Sequence, residues 1–350
     1  MECSQRILRW FDKHGRKDLP WQTEPTAYRV WVSEIMLQQT QVSTVSRYFD
    51  AFIHRFPDID ALAQASLDEV LHAWAGLGYY ARAKNLHRAA QLCVANHHSQ
   101  FPKDFDDVLN LPGIGRSTAG AILAISTRQR YPILDGNVKR VLSRYFAVSG
   151  WLNDPKTIDT LWALSEKITP HKRVDAFTQA IMDLGATLCT RTHPKCAECP
   201  IHEDCQAKAQ QRVTEYPKTK PAQKKPTQST TCLILFDPNQ QAILFEKRPL
   251  KGIWGGLWSL PECPVATEIK HWCREVFDLS IQQNDHWEPF RHTFTHYHLN
   301  IHPVLCHVKS LPKKKRITEQ YHWCPLTEIH TLGLPAPIKR LLVKMERKQS

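Results

Sequence analysis

Residues 111–119 read Leu-Pro-Gly-Ile-Gly-Arg-Ser-Thr-Ala and lie between two stretches with helical periodicity. Gly113 and Gly115 permit a tight turn, which exposes successive backbone N–H groups at the start of the following helix. Such a concavity suits a phosphate, so the segment predicts a helix-hairpin-helix turn that contacts nucleic acid. Because Gly-x-Gly also occurs in ordinary helix caps, this interpretation depends on the rest of the chain.

The pattern of apolar residues around this turn predicts two domains of different fold class. Residues 4–211 repeat apolar side chains at spacings of three and four, which is typical of helices. Residues 213–229 are rich in proline and lysine and predict an interdomain linker. We therefore expect an all-α domain over 1–212 and an α+β domain over 230–350. Its expected strands are 231–236, 242–245 and 298–305, and its expected helices lie near 265–277 and 336–347.

Four cysteines crowd into one short part of the helical region: Cys189, Cys196, Cys199 and Cys205. Four thiolates can converge on one zinc ion or on one iron-sulfur cluster, and the spacing alone leaves both metals open. Disulfides are disfavoured, because the total of 11 cysteines is odd and the other seven are scattered.

The charge balance favours a polyanionic partner. The formal net charge is +12 at pH 7, and the sequence pI is about 9.2. The longest apolar runs are too short to span a membrane, and the first residues contain no hydrophobic signal region. We therefore expect a cytoplasmic protein that binds nucleic acid and has no membrane partner.

Two carboxylates occupy unusual sequence environments. Glu34 lies in a helical segment that is apolar almost all round, where burial raises the pKa of a carboxyl and keeps it protonated. Asp135 precedes another helix, whose N–H groups favour the ionised form. One protonated and one ionised carboxyl form the pair that breaks glycosidic bonds. The alternatives are a buried glutamate paired with backbone or arginine, and an aspartate that only caps its helix.

Together these motifs resemble the MutY-type adenine-DNA glycosylases of the helix-hairpin-helix (endonuclease III) superfamily. The resemblance covers nearly the whole chain, and its matching segments are 31–40, 76–82, 111–119, 134–140, 182–185, the cysteine loop, 254–256 and 290–296. It implies a six-helix barrel at about 21–124, a cluster module from 1–20 plus 125–212, and a Nudix-like domain over 230–350. It also implies that the four cysteines bind a [4Fe-4S] cluster.

The resemblance implies removal of adenine mispaired with 8-oxoguanine or guanine. In this scheme Glu34 protonates adenine at N7, Asp135 stabilises the oxocarbenium ion, and Asn137 orders the water or the carboxylates. The residues expected to contact DNA or the bases are Gln39, Tyr79, Gly113, Gly115, Ser117, Lys139, Arg191, Lys195, Phe294, Thr295 and His296. The last three correspond to the family's Phe-Ser-His loop, with threonine in place of serine.

Position 117 separates two related activities. Endonuclease III relatives have a lysine there, whose amine forms a Schiff base and cuts the strand, and Ser117 cannot do this. We therefore expect a monofunctional glycosylase, with a bifunctional endonuclease III-like lyase as one alternative and a non-catalytic iron-sulfur lesion-binding module as another.

Further expectations concern the partners and the C-terminal domain. The expected partner is double-stranded DNA with an A:8-oxoguanine or A:G mispair, bound by a monomer in a bacterial nucleoid, with replication or repair factors as further partners. The Nudix-like domain keeps Glu262 but has Asp278-Leu279 where paired glutamates are expected. With too few carboxylates for Mg²⁺, it is expected to recognise 8-oxoguanine without hydrolysing nucleotides.

Overall fold

The structure is a computed structural model that describes residues 2–218, 224–310 and 320–349. Contacts divide the chain into two compact units, Met1–Gln64 with Asn85–Pro221 and Ala65–Lys84 with Ala222–Ser350. The first unit is helical, and the second combines a sheet with helices, which confirms the predicted fold class. The segment 65–84, predicted within the helical domain, groups by its contacts with the C-terminal domain.

The secondary structure of the described residues follows the predicted change from helices to strands. The helices are α1 Glu2–His14, α2 Ala27–Leu37, α3 Val42–Arg55, α4 Ile59–Gln64, α5 Leu67–Ala73, α6 Ala81–Asn96, α7 Phe105–Leu109, α8 Arg116–Thr127, α9 Gly136–Tyr145, α10 Pro155–Ile168, α11 Val174–Thr187, α12 Gln206–Ala209, α13 Ile269–Phe277 and α14 Ala336–Gln349. The strands are β1 Thr227–Asp237, β2 Ala242–Lys247, β3 Trp258–Ser259, β4 Glu262–Cys263, β5 Ser280–His286, β6 Phe290–Thr293, β7 His298–Ser310 and β8 Tyr321–Pro325. Strand β1 thus includes the last three residues of the predicted linker, and residues 219–223 of that linker lie outside the described ranges.

Helix α2 lies in the interior of the first unit. It begins after Thr26, whose hydroxyl accepts a hydrogen bond from the Arg29 N–H at 3.3 Å. Apolar side chains on several sides of the helix are buried, among them Trp31 and Met36. A helix that is apolar nearly all round is stable only when it is surrounded by protein. This environment fixes the position of Glu34.

Helix α9 packs against α11 over a shared apolar core. Val138, Val141 and Leu142 of α9 are buried in that core together with residues of α1, α10 and α11. The two helices approach closely at Gly185, where an added Cβ would lie 2.6 Å from the Cβ of Asn137. The absence of a side chain at Gly185 therefore sets the position of the N-terminal turn of α9.

The second unit is built around a mixed sheet with strand order β3-β2-β1-β7-β5. β1 and β7 pair in parallel, whereas β1 pairs with β2 in antiparallel fashion. Helix α13 covers one face, where Cys273 and Phe277 join the buried apolar cluster of the sheet. Within residues 2–218, 224–310 and 320–349, no helix is long and apolar enough to cross a membrane.

Candidate active site

Both predicted carboxylates line one cavity of about 570 Å³ in the helical unit. Glu34 reaches it from α2, and Asp135 reaches it from the N-terminus of α9. Other predicted site residues line the same cavity, namely Gln39, Gly115, Ser117 and Asn137. Residues that are far apart in the sequence are thus brought together on α2, α8 and α9 or within two residues of their ends.

The surroundings of Glu34 favour its neutral form. Burial raises the pKa of this carboxyl to about 8, and the negative charge of Asp135 contributes to the rise. At neutral pH Glu34 therefore holds a proton within the cavity. This is the protonation state of a general acid, as its apolar helix predicted.

Asp135 has a different environment. Burial raises its pKa, while hydrogen bonds from Val138 and Asn137 and the charge of Arg140 act in the opposite direction. The Val138 N–H donates to Oδ1 at 2.7 Å, and the Asn137 amide donates to Oδ2 at 3.2 Å. Asp135 is therefore an N-cap whose donors hold the carboxylate oxygens in a fixed direction.

Arg140, which was absent from the sequence-based predictions, fixes Asn137. Its guanidinium donates to Asn137 Oδ1 at 2.8 Å, to the carbonyl oxygen of Gly185 at 2.6 Å and to that of Cys189 at 2.7 Å. One side chain thus connects the amide beside Asp135 with the first cysteine of the loop. The contacts with Gly185 and Cys189 span 45 and 49 residues of sequence, so no local motif indicates them.

The hairpin has the predicted conformation. Gly113 adopts φ +82°, and an added Cβ there would lie 2.9 Å from the Cβ of Asn85. Glycine is therefore required both by the backbone and by packing. Among the described residues, no group accepts a hydrogen bond from the Gly113 or Gly115 N–H. Ser117 accepts the Leu134 N–H at 2.9 Å, which joins α8 to the segment that ends at Asp135.

A charged pair that the sequence-based predictions did not include, Arg16 and Asp183, also lines this cavity. Asp183 is buried. Its carboxylate accepts hydrogen bonds from the guanidinium and from the backbone N–H of Arg16, at 2.5 to 3.0 Å. Beside it, Gln22 donates to the Gln179 side chain at 2.6 Å. These four side chains add amide, carboxylate and guanidinium groups to the cavity lining. Of the four, only Asp183 lies in a segment that the sequence analysis singled out, residues 182–185.

The four cysteines line a second, smaller cavity of about 30 Å³. All four are free thiols. Within the described ranges, no three or more cysteine, histidine or acidic side chains lie in an arrangement that would bind a metal ion. Burial raises the pKa of the Cys199 thiol to about 12, so it ionises near neutral pH only beside a strong positive charge.

Arg144 is the buried cation of this second cavity and was also missed. Its side chain donates to Cys189 Sγ at 3.3 Å, to the Thr190 carbonyl oxygen at 2.6 Å and to the Tyr216 carbonyl oxygen at 3.0 Å. It is only 2% exposed, so its positive charge faces the thiols and not solvent. Arg191 and Lys195 of the same loop are exposed.

The predicted Tyr79 is presented by a preorganised loop in the second unit. Tyr79 has φ +48° and is 44% exposed. The Arg82 guanidinium lies 5.4 Å from both the Tyr79 and the Trp74 rings and donates to the carbonyl oxygen of Gly78 at 3.2 Å. The buried Arg82 and Trp74 thus support an exposed aromatic ring in an unusual backbone conformation.

The Phe294–His296 segment forms a tight turn between β6 and β7. The Phe294 N–H donates to the Tyr297 carbonyl oxygen at 2.9 Å, and the two rings stack with centroids 4.9 Å apart. Thr295 and His296 are exposed at the tip. Neither this turn nor Tyr79 lines the carboxylate cavity, and Lys139, in the first turn of α9, does not line it either.

Glu262 and Asp278, the two carboxylates noted in the Nudix-like domain, have different surroundings. Glu262 forms an ion pair with Arg248 at 3.3 Å and accepts from the Thr230 hydroxyl at 3.2 Å. Asp278 lies at the C-terminal end of α13 with φ +56°. These contacts leave Glu262 bound to protein groups of its own domain.

Family models match both parts of this architecture. The model of the HhH-GPD superfamily base excision DNA repair proteins matches residues 32–167, and the model of the NUDIX domain matches residues 231–344. A solved structure of a thermostable thymine-DNA glycosylase is 25% identical, covers 59% of this chain and 95% of its own, and has a TM-score of 0.54. The fold and the cavity thus define a base excision repair DNA glycosylase with an added Nudix-like domain.

Two curated relatives narrow the class. The adenine DNA glycosylase of Buchnera aphidicola is 39% identical over 98% of this chain and 97% of its own. The adenine DNA glycosylase of Homo sapiens is 30% identical over 96% of this chain and 72% of its own. The chain belongs to the adenine DNA glycosylase family.

Proposed function

We propose that the protein hydrolyses the N-glycosidic bond of adenine mispaired with 8-oxoguanine or guanine in double-stranded DNA. The observation that supports this most is the shared cavity of Glu34 and Asp135, in which Glu34 has a pKa of about 8. The adenine must leave the base stack to reach these carboxyls. A cavity of about 570 Å³, lined by polar groups, can receive a flipped base.

The two carboxyls have separate roles in this reaction. Glu34 donates its proton to adenine N7, which weakens the bond between base and sugar. Asp135 stabilises the positive charge that develops on the sugar, and Asn137 orients that carboxylate or the attacking water. The base is oriented by the Arg16–Asp183 pair and by the side-chain amides of Gln22 and Gln179.

The reaction ends at an abasic site, without strand cleavage. The Ser117 hydroxyl accepts the Leu134 N–H and carries no amine that forms a Schiff base. Lys139 lies outside the cavity lining, so it is a poor substitute for the missing lysine. Borohydride trapping as efficient as that of a true lyase would favour the endonuclease III-like alternative.

The cysteines are proposed to hold a [4Fe-4S] cluster. A single zinc ion draws four thiolates to about 2.3 Å from one point, whereas each cysteine of a cubane binds a different iron, which separates the sulfurs. All four cysteines line one cavity, so their thiolates can bind one cluster, which is the group that membership of this family implies. When bound, the cluster supplies structural support to the loop and takes no part in cleaving the bond.

DNA contacts divide between the two units. In the helical unit, the Gly113 and Gly115 N–H groups and the exposed Arg191 and Lys195 bind phosphates, and Gln39 fills the space left in the helix. In the second unit, Tyr79 stacks on a base beside the lesion. The turn of Phe294, Thr295 and His296 contacts 8-oxoguanine. The Thr295 hydroxyl keeps the hydrogen-bonding capacity of the serine that the family has at this position.

Single-turnover release of adenine from a duplex with one A:8-oxoguanine pair tests this function. Wild-type protein should release adenine and leave an abasic site, whereas Glu34→Gln and Asp135→Asn should lose most of the rate while still binding the duplex. Equal turnover in the wild type and both variants would favour the non-catalytic lesion-binding module. The brown colour of an iron-sulfur protein, against a colourless zinc protein, decides the metal.

A further inference from the structure

Residues 65–84, which include the Tyr79 loop, are fixed to the C-terminal domain by polar contacts. Asp68 of α5 forms an ion pair with Lys247 of β2. The Lys84 ammonium, at the other end of the segment, donates to the carbonyl oxygen of Leu250. Both contacts lie within the second unit, so this unit contains Tyr79 as well as the Phe294–His296 turn.

The turn that contains Leu250 is closely packed against this segment. Gly256 adopts φ +84°, and an added Cβ there would lie 3.0 Å from Leu71 Cδ1 of α5. At Gly255 an added Cβ would lie 2.4 Å from the Leu250 carbonyl oxygen and 3.1 Å from the Lys84 ammonium. The glycines thus allow the turn to approach α5 and Lys84 closely.

The turn that contains Leu250 also contacts the Phe294–His296 turn, through Trp254. The Trp254 ring centroid lies 5.6 Å from that of Phe294 and 6.0 Å from that of His292, and Trp254 is only 8% exposed. Lys225 donates to the Phe294 carbonyl oxygen at 2.9 Å and fixes its backbone. Residues 250–256 therefore touch the Tyr79 segment through Leu250, Gly255 and Gly256, and the Phe294 turn through Trp254.

We propose that the 250–256 turn couples the Tyr79 loop to the Phe294–His296 turn, with Lys84 as the positioning residue. The proposal rests on the proposed function for the identity of the bases that the two loops contact. The Trp254-Gly255-Gly256 segment then has a role in this protein that is independent of nucleotide hydrolysis. Lys84 acts through the Leu250 carbonyl, because a charged donor fixes its acceptor more strongly than a neutral one.

Packing supports the strength of this contact. Burial lowers the pKa of Lys84, which indicates that its ammonium is partly removed from water. A partly desolvated cation requires its acceptor, so loss of the ammonium releases the Leu250 turn. Asp68 and Lys247 restrain the other end of the segment, and the movement that follows is therefore local to the Tyr79 loop.

Lys84→Met tests the coupling, since it removes the ammonium and keeps most of the aliphatic stem. The matched control is Lys270→Met, the same change at an exposed lysine of α13. Binding is measured with duplexes that carry a non-hydrolysable adenine analogue opposite 8-oxoguanine or guanine. A 2-aminopurine beside the lesion reports insertion of Tyr79. We expect Lys84→Met to lower the preference for 8-oxoguanine by about tenfold and to reduce the 2-aminopurine response.

A double-mutant cycle with Phe294→Ala decides whether the loops are coupled. If they are, Lys84→Met should change the preference by less than about twofold in the Phe294→Ala background. Additive losses, or a loss equal to that of Lys270→Met, would overturn the proposal. Should Lys84→Met unfold, Lys84→Gln, which removes the charge and keeps a neutral donor, gives the same comparison at the same contact.

The outcome separates this proposal from the proposed function. Because the assay measures binding, it does not require adenine release. If wild-type protein bound both duplexes equally, the proposed 8-oxoguanine preference would fail, and the 2-aminopurine response of Lys84→Met would still test control of Tyr79.

Discussion

Replacement of Glu34 by glutamine should stabilise the folded protein at neutral pH while abolishing its proposed activity. The folded-state pKa is raised from 4.5 to about 8, mainly by burial. An acid with a raised folded-state pKa binds its proton more tightly in the folded state, so its ionisation opposes folding. That destabilisation is absent below pH 4.5, grows as the pH rises, and levels off above about pH 8.

The size of the effect follows from the same two values. At pH 7 the linkage relation gives about 3 kcal/mol of destabilisation in the wild type, an upper figure because glutamine does not reproduce every contact of a protonated glutamate. A helical unit of this size would then gain about 6 °C or more in Tm. The gain should shrink towards zero as the pH falls to 4.5, where both states bind the proton.

Thermal unfolding of wild type and Glu34→Gln between pH 5 and pH 8 measures this gain. Asp183→Asn is a useful contrast, because Asp183 is paired with Arg16 in the same cavity and its loss should destabilise the protein. A Glu34→Gln variant with an unchanged or lower Tm at every pH would refute the argument that this carboxyl is held neutral by burial.

Three other substitutions test the supports of the site. Gly185→Ala should displace Asn137, because the new Cβ would lie 2.6 Å from its Cβ, and should slow single-turnover adenine release about tenfold with little change in DNA affinity. Ser117→Ala should destabilise the protein by about 1–3 kcal/mol in urea titrations, since the Leu134 N–H loses its acceptor. Arg144→Met should destabilise it by about 3 kcal/mol or more and reduce the visible absorbance of the proposed cluster. An unchanged absorbance per protein would exclude a role for this cation at the cysteines.

Local sequence predicted the parts of the site that depend on short motifs. The hairpin required glycine at position 113, and an aspartate before a helix predicted the cap at Asp135. An apolar helix predicted the raised pKa of Glu34. In each case the sequence signal lies within a few residues, although the burial of Glu34 and the charge of Asp135 beside it depend on distant parts of the chain.

The parts that sequence did not reveal arise from contacts between distant residues. Arg16 and Asp183 are 167 positions apart, and Arg144 meets Cys189 across 45 positions. The contact of Lys84 with Leu250 spans 166 positions, and it is one of several contacts between residues 65–84 and the C-terminal domain. An isolated arginine or lysine in a basic chain gives no periodic signal, and its partner is known only from the fold.

In the proposed mechanism, Glu34 must be protonated for adenine to leave. The pH dependence of single-turnover adenine release from an A:8-oxoguanine duplex tests this requirement. The rate should be nearly constant below pH 7, fall to half near pH 8, and drop about tenfold for each further pH unit, because only the protonated fraction reacts. A rate that stays constant up to pH 9.5, or a Glu34→Gln variant that keeps the wild-type rate, would contradict the claim.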